Sequence, residues 1–404
     1  MKKNLLFLGF AVPDEELEKI LCLDKFPAIQ THKFNWNLIK GMETCNDFNF
    51  TYISTRPISD YPYYPHKKIK ANIWRVNLLG KDIEITEIPF INSSILKLFT
   101  RFFTGLFYSF KKYHKVKNKA GVIVYSVHVP FMMIGYVISR IYKIDYIAIW
   151  TDPPAISTSK DSGMKSKLRN IELKLSKYLM KKATKVIALT KYLAKDFAPG
   201  KPYMVMEGII DLNDISFDIK EGRKEDNDIA KVVYTGSLEK RYGIKNIVEG
   251  FMLIEDENIV LEIYGRGDYE EELMKISSIN NRIRYNGFVS PQNILSVQRE
   301  ADFLINARSA EYDYTKYSFP SKTLEYMLSG TPLITTILSG MPEEYRDYVI
   351  VLENSKPEII RDTVIRASKQ SKSQNYNIGL KALNFAKNKS YNIQGEKIAM
   401  FIKN

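Results

Sequence analysis

Short apolar segments with the length of buried β-strands recur along the whole chain, and stretches of helical character lie between them. They occupy 4–10, 50–54, 121–127, 146–150 and 185–190 in the amino half, then 231–237, 259–265, 282–288, 301–307, 331–336 and 349–353. Strands that alternate with helices are typical of parallel sheets, because each connection must cross a face of the sheet. The pattern predicts an α/β protein with a Rossmann-like, doubly wound parallel sheet in each half.

The length of 404 residues exceeds one ordinary hydrophobic core and fits two domains of roughly 150 to 200 residues. A polar, highly charged and weakly periodic segment at 211–230 is the predicted linker. We therefore expect domains at 1–212 and 213–388. The last helical stretch, from about Asn377 to Lys403, is long enough for residues 389–404 to run back to the first domain.

Cysteine and histidine are both rare in this chain. The two cysteines form no C-x-x-C pair and only four histidines occur, which argues against a disulfide scaffold or a structural zinc site and fits a reducing cytosol. The apolar run Leu5–Val12 is short and ends in a proline and acidic residues, so we interpret it as a buried strand and not as a signal peptide. No run of 18 apolar residues predicts a transmembrane helix.

The positive charge belongs to one half of the chain. Residues 1–212 hold 33 Lys and Arg against 18 Asp and Glu, whereas 213–404 hold 26 against 28. Basic residues alternate with aromatic ones at 94–119, and 165–185 holds eight basic residues beside one glutamate. Such segments bind anionic membranes or nucleic acid, or form solvated helix faces.

The segment VVYTGSLEKRYG predicts a strand followed by a glycine-bearing loop and a helix. Gly236 and Gly243 would expose backbone N–H groups to a phosphate, with Lys240 and Arg241 beside it. The same pattern also occurs as an ordinary turn in doubly wound sheets. A second loop, with Gly265 and Gly267, leads into an acidic first helical turn, which favours a structural role over phosphate binding.

The segment SFPSKTLEYMLSG predicts a helix that begins after Pro320. Helical spacing brings Lys322 near Glu325, with Ser321 and Thr323 in the same first turn. One interpretation is a surface pair that stabilises the helix by about 0.3 to 0.5 kcal/mol. The other is a helix amino terminus at the carboxyl edge of a parallel sheet, with a cation for a diphosphate and a carboxylate for a ribose diol.

The order and spacing of VVYTGSL, LEIYGRG, IRYNGFVSPQNI, ADFLINA, SFPSKTLEYMLSGTPLITT and SGMPEEYRDYV resemble the carboxyl domain of family 4 retaining glycosyltransferases. The likeness is close from about residue 183 onward and loose before it. It implies the GT-B fold, in which two Rossmann-like domains face each other across a cleft and the carboxyl domain holds a nucleotide-sugar.

The resemblance also implies roles for individual residues. Glu325 matches the second glutamate of the family's E-x7-E motif, which holds the ribose, and Lys322 lies in the turn that faces the diphosphate. Phe288 and Val289 match the segment whose backbone contacts the base. The full set of predicted donor-site residues is Gly9, Gly236, Ser237, Lys240, Arg241, Gly265, Phe288, Val289, Tyr317, Ser321, Lys322, Thr323 and Glu325.

Two positions depart from the family pattern. Ser237 follows the first glycine where a basic residue is usual, so Lys240 and Arg241 are the expected substitutes. Tyr317 stands where the first glutamate of E-x7-E belongs, which leaves recognition of the donor sugar open. Some members from polysaccharide assembly read P-[NS]-K-x-x-[ED]-Y here, and this chain, with PSKTLEY, is closer to them.

Candidate catalytic residues come from the amino half. Asp152 follows a strand where the family often carries a histidine, and it would orient an acceptor hydroxyl or stabilise positive charge at the anomeric carbon. An Asp-Pro-Pro turn is the structural alternative. His128, after another strand, is the second candidate, and packing is its alternative. Gly9, at the end of the first strand, would approach the donor diphosphate across the cleft.

The resemblance predicts retaining transfer of a sugar, without a metal ion, to a glycan or polyprenyl-linked saccharide in capsule, O-antigen or exopolysaccharide assembly. An anionic membrane surface then becomes the preferred partner of the basic half, and the inner face of the cell membrane the expected location. A nucleotide-sugar epimerase of the same fold and a non-catalytic nucleotide-sugar-binding subunit remain alternatives. A nucleic-acid-binding protein is a further alternative, although no nucleic-acid module is recognisable.

Overall fold

The computed structural model describes residues 2–26, 30–154, 164–214, 229–310 and 313–404. The chain divides into two compact units, one of Met1–Asp211 with Ser390–Asn404 and the other of Leu212–Lys389. Most of the predicted linker, 215–228, lies outside the described residues. Each unit has its own sheet and its own apolar core.

The first unit is built on a sheet in the order β10-β9-β8-β7-β1-β2-β5-β4, parallel except for the β4–β5 pair. Its central strands are buried on both faces, which matches their uninterrupted apolar sequences. β3 and β6 form a separate antiparallel pair. The strands are β1 (Lys3–Gly9), β2 (Phe48–Ser54), β3 (Lys68–Ile69), β4 (Asn72–Leu78), β5 (Lys81–Glu87), β6 (Phe90–Ile91), β7 (Lys119–Tyr125), β8 (Asp145–Trp150), β9 (Lys185–Ala188) and β10 (Tyr203–Val205).

Between β2 and β7 the structure departs from the predicted strand–helix alternation. A β4–β5 hairpin precedes the only long helix of this stretch, and its two turn residues, Leu79 and Gly80, both have positive φ. Such turns usually carry Asn-Gly or Asp-Gly, so Leu79-Gly80 is not recognisable as a hairpin turn from sequence. The helices of this unit are α1 (Asp14–Leu23), α2 (Gln30–Thr44), α3 (Leu96–Tyr113), α4 (Val129–Tyr142), α5 (Met164–Met180) and α6 (Lys191–Phe197).

The second unit has a fully parallel sheet in the order β13-β12-β11-β14-β15-β16. This is the strand order of a doubly wound nucleotide-binding domain, with the first strand at the centre. The strands are β11 (Ala230–Thr235), β12 (Ile259–Tyr264), β13 (Ile283–Tyr285), β14 (Phe303–Asn306), β15 (Leu333–Thr336) and β16 (Ile350–Leu352). The helices are α7 (Ile244–Met252), α8 (Glu270–Ile279), α9 (Pro291–Glu300), α10 (Ser321–Leu328), α11 (Pro357–Ser368) and α12 (Lys372–Lys387).

The carboxyl-terminal stretch was predicted as one helix and is two. α12 ends at Lys387 in the second unit, and α13 (Tyr391–Lys403) belongs to the first, where it packs on α2. Gly41 and Gly395 make that close packing possible, because a Cβ at residue 395 would lie 2.0 Å from the carbonyl oxygen of Gly41. Ser390 precedes α13 in an extended conformation and pairs with Ile210, which breaks the helix.

The predicted fold class, α/β with two Rossmann-like parallel-sheet domains, is confirmed. Within the described residues, none of the helices combines the length and the apolar character that crossing a bilayer would require.

Candidate functional site

The strand order of the second unit singles out one edge of its sheet. β11 pairs with β12 on one side and β14 on the other, so the loops after β11 and β14 leave the sheet in opposite directions. Ligands of open α/β sheets bind outside the carboxyl ends of the strands at such a reversal of strand order. Gly236 follows β11 and Arg308 follows β14 at this place.

Lys322 extends from the first turn of α10 to the end of β11. Its Nζ donates a 2.9 Å hydrogen bond to the carbonyl oxygen of Thr235 and lies 5.1 Å from the centre of the Tyr234 ring. A Cβ on Gly236 would lie only 1.1 Å from this Nζ, and Gly236 has a φ of +143°. The glycine therefore leaves the space that the ammonium group occupies.

The Lys322 ammonium is a poorly solvated cation. Its pKa is lowered to about 8, mainly by burial; the negative charge of Glu325 opposes the change and the positive charge of Arg308 adds to it. Among the described residues, no carboxylate lies within ion-pair distance of Lys322 or of Arg308. Two cations that lack carboxylate partners thus approach each other beside the Gly236 loop, which favours a bound anion there.

Arg308 is absent from the predicted site residues. Its guanidinium lies 4.3 Å from the centre of the Tyr242 ring, and the backbone before it touches Gly243, whose added Cβ would lie 1.9 Å from the Ala307 oxygen. A basic residue two positions after a buried strand is a signal that the sequence did offer. Gly243 and Arg308 are therefore held together by the contact of Gly243 with the backbone of Ala307.

Glu325 lies one turn beyond the start of α10 and its side chain is exposed. The side-chain amide of buried Gln298 donates to one Glu325 carboxylate oxygen at 2.9 Å and to the Thr235 hydroxyl at 3.0 Å. This contact fixes the carboxylate and leaves its other oxygen available for a ligand. Gln298, in α9, is a second site residue that the sequence did not indicate, since glutamine in a helix carries no pattern.

Buried Tyr326 ties α10 to the end of β11. Its hydroxyl donates to the Thr235 carbonyl oxygen at 2.7 Å and accepts from the Thr235 N–H at 2.9 Å. Burial raises the pKa of this phenol, so it stays protonated and can donate at neutral pH. These hydrogen bonds give the tyrosine after Glu325 a role. Its hydroxyl sets the position of α10, the helix that carries Lys322 and Glu325.

The loops after β11, β12 and β13 pack on one another through glycines. A Cβ on Gly265 would lie 1.7 Å from the Gly236 oxygen, and the Gly265 N–H donates to the Gly287 oxygen at 2.8 Å. Directly after Gly287, Phe288 is 59% exposed with the Arg266 guanidinium 5.1 Å from its ring centre. Partly buried Val289 follows. An exposed ring beside a cation is suited to stacking with a nucleobase.

The two basic residues predicted to contact phosphate, Lys240 and Arg241, each form an ion pair with an acidic side chain. The Lys240 ammonium lies 2.7 Å from Glu272, and the Arg241 guanidinium lies 2.5 Å from Glu239, with all four side chains more than a third exposed. The structure thus gives Lys240 and Arg241 a different environment from that of Lys322. Ser237 bonds weakly to Glu239 through its hydroxyl, at 3.4 Å, and its carbonyl oxygen accepts a bond from Tyr234.

The residues around the start of α10 differ in exposure. Tyr317 ends a 3₁₀ helix, Asp313–Tyr317, and is partly buried with the Lys316 ammonium 4.9 Å from its ring centre. Ser321 is exposed, whereas Thr323 is fully buried with its hydroxyl oxygen unpaired among the described residues. Thr323 therefore faces the interior and Ser321 the solvent at the helix amino terminus.

In the first unit, Gly9 and His128 flank the corresponding reversal of strand order, between β1 and β7. Phe10 lies against the His128 ring, with 5.0 Å between ring centres, and Arg101 Nη1 is 3.5 Å from His128 Nε2. Burial, together with Arg101 and Lys97, lowers the pKa of His128 well below its usual value. The imidazole is therefore neutral at pH 7.

Asp152 lies one strand further along the same sheet, after β8. Its side chain is exposed and accepts a 2.8 Å hydrogen bond from the Thr151 hydroxyl. Burial raises the pKa of Tyr125, at the end of β7, above the usual range, and the charge of Asp152 adds to this effect. The structure thus brings Gly9 and His128 to one point of the sheet edge and sets Asp152 beside the neighbouring strand. Within the described ranges, no three His, Cys, Asp or Glu side chains are grouped to hold a metal ion.

The sequence of the second unit matches a known family. Residues 230–370 match the family model described as glycosyl transferases group 1. The protein is a glycosyltransferase. No curated protein sequence matches the chain.

Solved structures share the fold of this glycosyltransferase over nearly the whole chain. HepE from Anabaena in complex with UDP is 14% identical over all of both chains, with a TM-score of 0.60. The apo form of WaaB, a lipopolysaccharide outer core galactosyltransferase, is 15% identical over 99% of this chain and 100% of its own, with a TM-score of 0.62. The trehalose-6-phosphate protein from E. coli bound to UDP-2-fluoro glucose is 9% identical over 100% and 99%, with a TM-score of 0.63. At these identities the likeness shows the shared GT-B fold alone.

Proposed function

We propose that this glycosyltransferase takes its sugar from a nucleoside diphosphate sugar bound at the carboxyl edge of the second unit's sheet. The observation that carries the proposal is Lys322, whose ammonium lies over Gly236 without a carboxylate partner, one turn before the exposed carboxylate of Glu325. A cation and a carboxylate one helical turn apart suit the diphosphate and the ribose of one nucleotide. UDP bound to HepE and UDP-2-fluoro glucose bound to the E. coli protein are consistent with such a donor.

The diphosphate would lie between Lys322, Arg308 and the backbone of the Gly236 loop. Both side chains are already positioned, Lys322 by Thr235 and Arg308 by stacking on Tyr242, so little conformational entropy is lost on binding. The amino end of α10 adds the partial positive charge of its unpaired N–H groups.

The nucleoside would be held by Glu325 and Phe288. The Glu325 oxygen that Gln298 does not contact accepts hydrogen bonds from the ribose hydroxyls, as the family resemblance implies. The exposed Phe288 ring, with Arg266 beside it, provides a stacking surface for the base. Neither group distinguishes one base from another, so the base is left to experiment.

We further propose transfer with retention of anomeric configuration. The bond from the anomeric carbon to the diphosphate oxygen breaks, the acceptor oxygen bonds to the same face, and its proton passes to the departing phosphate. Lys322 and Arg308 stabilise the charge that develops on the leaving group, and in the proposal no metal ion is required. His128, neutral at pH 7, and Asp152 remain the candidates to orient the acceptor hydroxyl.

The proposed acceptor is a saccharide, free or linked to a polyprenyl carrier, in assembly of a capsule, O-antigen or exopolysaccharide. WaaB, a lipopolysaccharide outer core galactosyltransferase of similar fold, is consistent with this class of acceptor. The excess of basic residues in 1–212 supports work at the anionic inner face of the cell membrane.

A screen of nucleotide-sugars tests the proposed donor site and the proposed transfer. Thermal shift with UDP-, GDP-, dTDP- and ADP-sugars is expected to reveal one base that stabilises the wild type, and Glu325→Ala should reduce that stabilisation. Release of the nucleoside diphosphate is then measured with and without saccharide acceptors. Stabilisation by none of the four, or an undiminished shift in Glu325→Ala, contradicts the site; turnover of the donor sugar into its epimer without any acceptor contradicts the transfer.

A further inference from the structure

The two faces of α3 are reversed relative to an ordinary surface helix. The face that packs on the unit contains residues 97, 101, 105, 109 and 113, which are Lys97, Arg101, Gly105, Ser109 and Tyr113. The outward face contains Ile95, just before the helix, and Phe99, Phe103 and Phe107, which are 45%, 58%, 63% and 60% exposed. A surface helix normally buries its apolar stripe and exposes its polar one.

Specific contacts hold the polar face inward. The Lys97 ammonium donates to the Ile58 oxygen at 2.6 Å and lies 3.0 Å from Asp60. The Arg101 guanidinium donates to the Arg56 oxygen at 2.7 Å, and the Tyr113 hydroxyl donates to the Asn4 oxygen at 2.7 Å. A rotation that buried the phenylalanines would break all of these contacts, so the outward direction of the stripe is a built feature of the fold.

The outward stripe is a continuous apolar surface. Phe99, Phe103 and Phe107 follow one another at intervals of four residues, so their rings lie along one line of the helix. Leu96, 49% exposed, extends the stripe at its amino end beside Ile95. Isolated exposed apolar residues are common, but three adjacent phenylalanines more than half exposed indicate a surface that another apolar phase covers.

The charge around the stripe selects an anionic partner. No Asp or Glu occurs between Glu87 and Asp145, whereas nine Lys and Arg do. Lys111 continues the outward line of the phenylalanines, and both it and Lys115 are exposed just beyond them. Two copies that met through this face would bring their like charges together, which disfavours self-association. An anionic phospholipid bilayer satisfies both the apolar line and its basic end.

We propose that α3 lies in the surface of an anionic membrane, with the rings of Phe99, Phe103 and Phe107 inserted among the lipids. The inference deepens the proposed function, because it assigns the membrane partner of that proposal to one helix face. It does not depend on the identity of the donor. With the phenylalanines in the bilayer, the opposite face still holds Lys97 and Arg101 toward the interior of the first unit.

Co-sedimentation of the full chain with vesicles tests the inference. The wild type should bind vesicles of 40% phosphatidylglycerol in phosphatidylcholine, weakly bind pure phosphatidylcholine, and lose affinity as salt is added. The triple variant Phe99→Ser, Phe103→Ser, Phe107→Ser should bind the anionic vesicles at least ~10-fold more weakly, because lipid binding scales with inserted apolar area. A variant with Lys111→Gln and Lys115→Gln should lose most of the salt dependence.

A matched control removes three exposed apolar side chains elsewhere, by Met252→Ser, Ile279→Ser and Met400→Ser. It should bind vesicles like the wild type. Circular dichroism and nucleotide binding measured on every variant separate loss of the surface from loss of the fold or of the donor site. The inference is overturned if the triple variant binds vesicles as well as the wild type does. It is also overturned if the wild type binds no vesicles and is a dimer while the triple variant is a monomer.

Discussion

Burial gives Lys322 a pKa of about 8, below the ordinary value of a lysine near 10.4. The folded protein therefore releases this proton at lower pH than the unfolded chain, and the free protein gains stability as pH rises from about 8 toward 10.4. Donor binding has the opposite dependence, because a diphosphate requires the protonated ammonium. Nucleotide affinity should thus fall as pH rises above about 8.

Calorimetry with the identified nucleotide-sugar between pH 7 and pH 9.5 tests this dependence. The dissociation constant of the wild type should rise by up to about tenfold per pH unit above pH 8, the limit for the loss of one proton. Lys322→Met should bind the nucleotide-sugar more weakly at pH 7, and its dissociation constant should not show this rise above pH 8. A step of the same size in Lys322→Met would assign the titration to another group.

Glu325 is expected to contact the ribose through the oxygen that Gln298 leaves open. A hydrogen bond to a charged group contributes about 1.5–3 kcal/mol, so the wild type should prefer a ribonucleotide to its 2′-deoxy form by roughly 10- to 100-fold. Glu325→Ala should bind both forms equally, at the weaker affinity. If the variant keeps the preference, the ribose contact lies elsewhere.

At the scale of elements, Tyr326 joins α10 to the end of β11 by hydrogen bonds that have no access to water. Tyr326→Phe leaves the Thr235 N–H and carbonyl groups without this partner, so we expect a loss of about 1–3 kcal/mol in the free energy of unfolding. Urea denaturation measures it. Tyr376→Phe, at a half-exposed tyrosine, is the control and should change stability by less than about 0.5 kcal/mol. Equal losses in both variants would contradict the role given to the hydroxyl.

Most strands were predictable because they are buried on both faces and therefore consist of uninterrupted apolar residues. The central strands β1, β7 and β8 are examples. The β4–β5 hairpin is not predicted, since its turn is formed by Leu79 and Gly80 and β4 lies at the edge of the sheet. The end of α12 was also missed, because the break depends on pairing of Ser390 with Ile210, a contact far apart in sequence.

The candidate site was predictable where residues lie close together in sequence. Lys322 and Glu325 share one helix, so their spacing alone places them on the same turn. Arg308 and Gln298 reach the site from other elements, and only the order of β11 and β14 in the sheet brings them there. Lys240 and Arg241 seemed equally suitable in sequence, but the acidic partners Glu272 and Glu239 become visible only in the folded chain.

In the whole molecule, the second unit is proposed to bind the donor, and the first unit carries the candidates that orient the acceptor. Variants of the first unit should change turnover and leave nucleotide affinity unchanged, because the donor residues belong to the second. His128→Ala is expected to lower kcat by about 10²-fold or more if the imidazole orients the acceptor hydroxyl. Asp152→Asn is the parallel test of the second candidate. A variant that weakens nucleotide binding tenfold without affecting kcat would place its residue in the donor site.

In the proposed function, the carboxyl edge of the second unit's sheet holds the donor nucleotide. Hydrogen–deuterium exchange of the intact protein with and without a saturating nucleotide tests it without any substitution. We expect slower exchange in peptides that cover 235–243, 263–268, 286–289, 306–308 and 320–326. Protection confined to peptides of 1–211, or none in these five segments at saturation, would contradict the account.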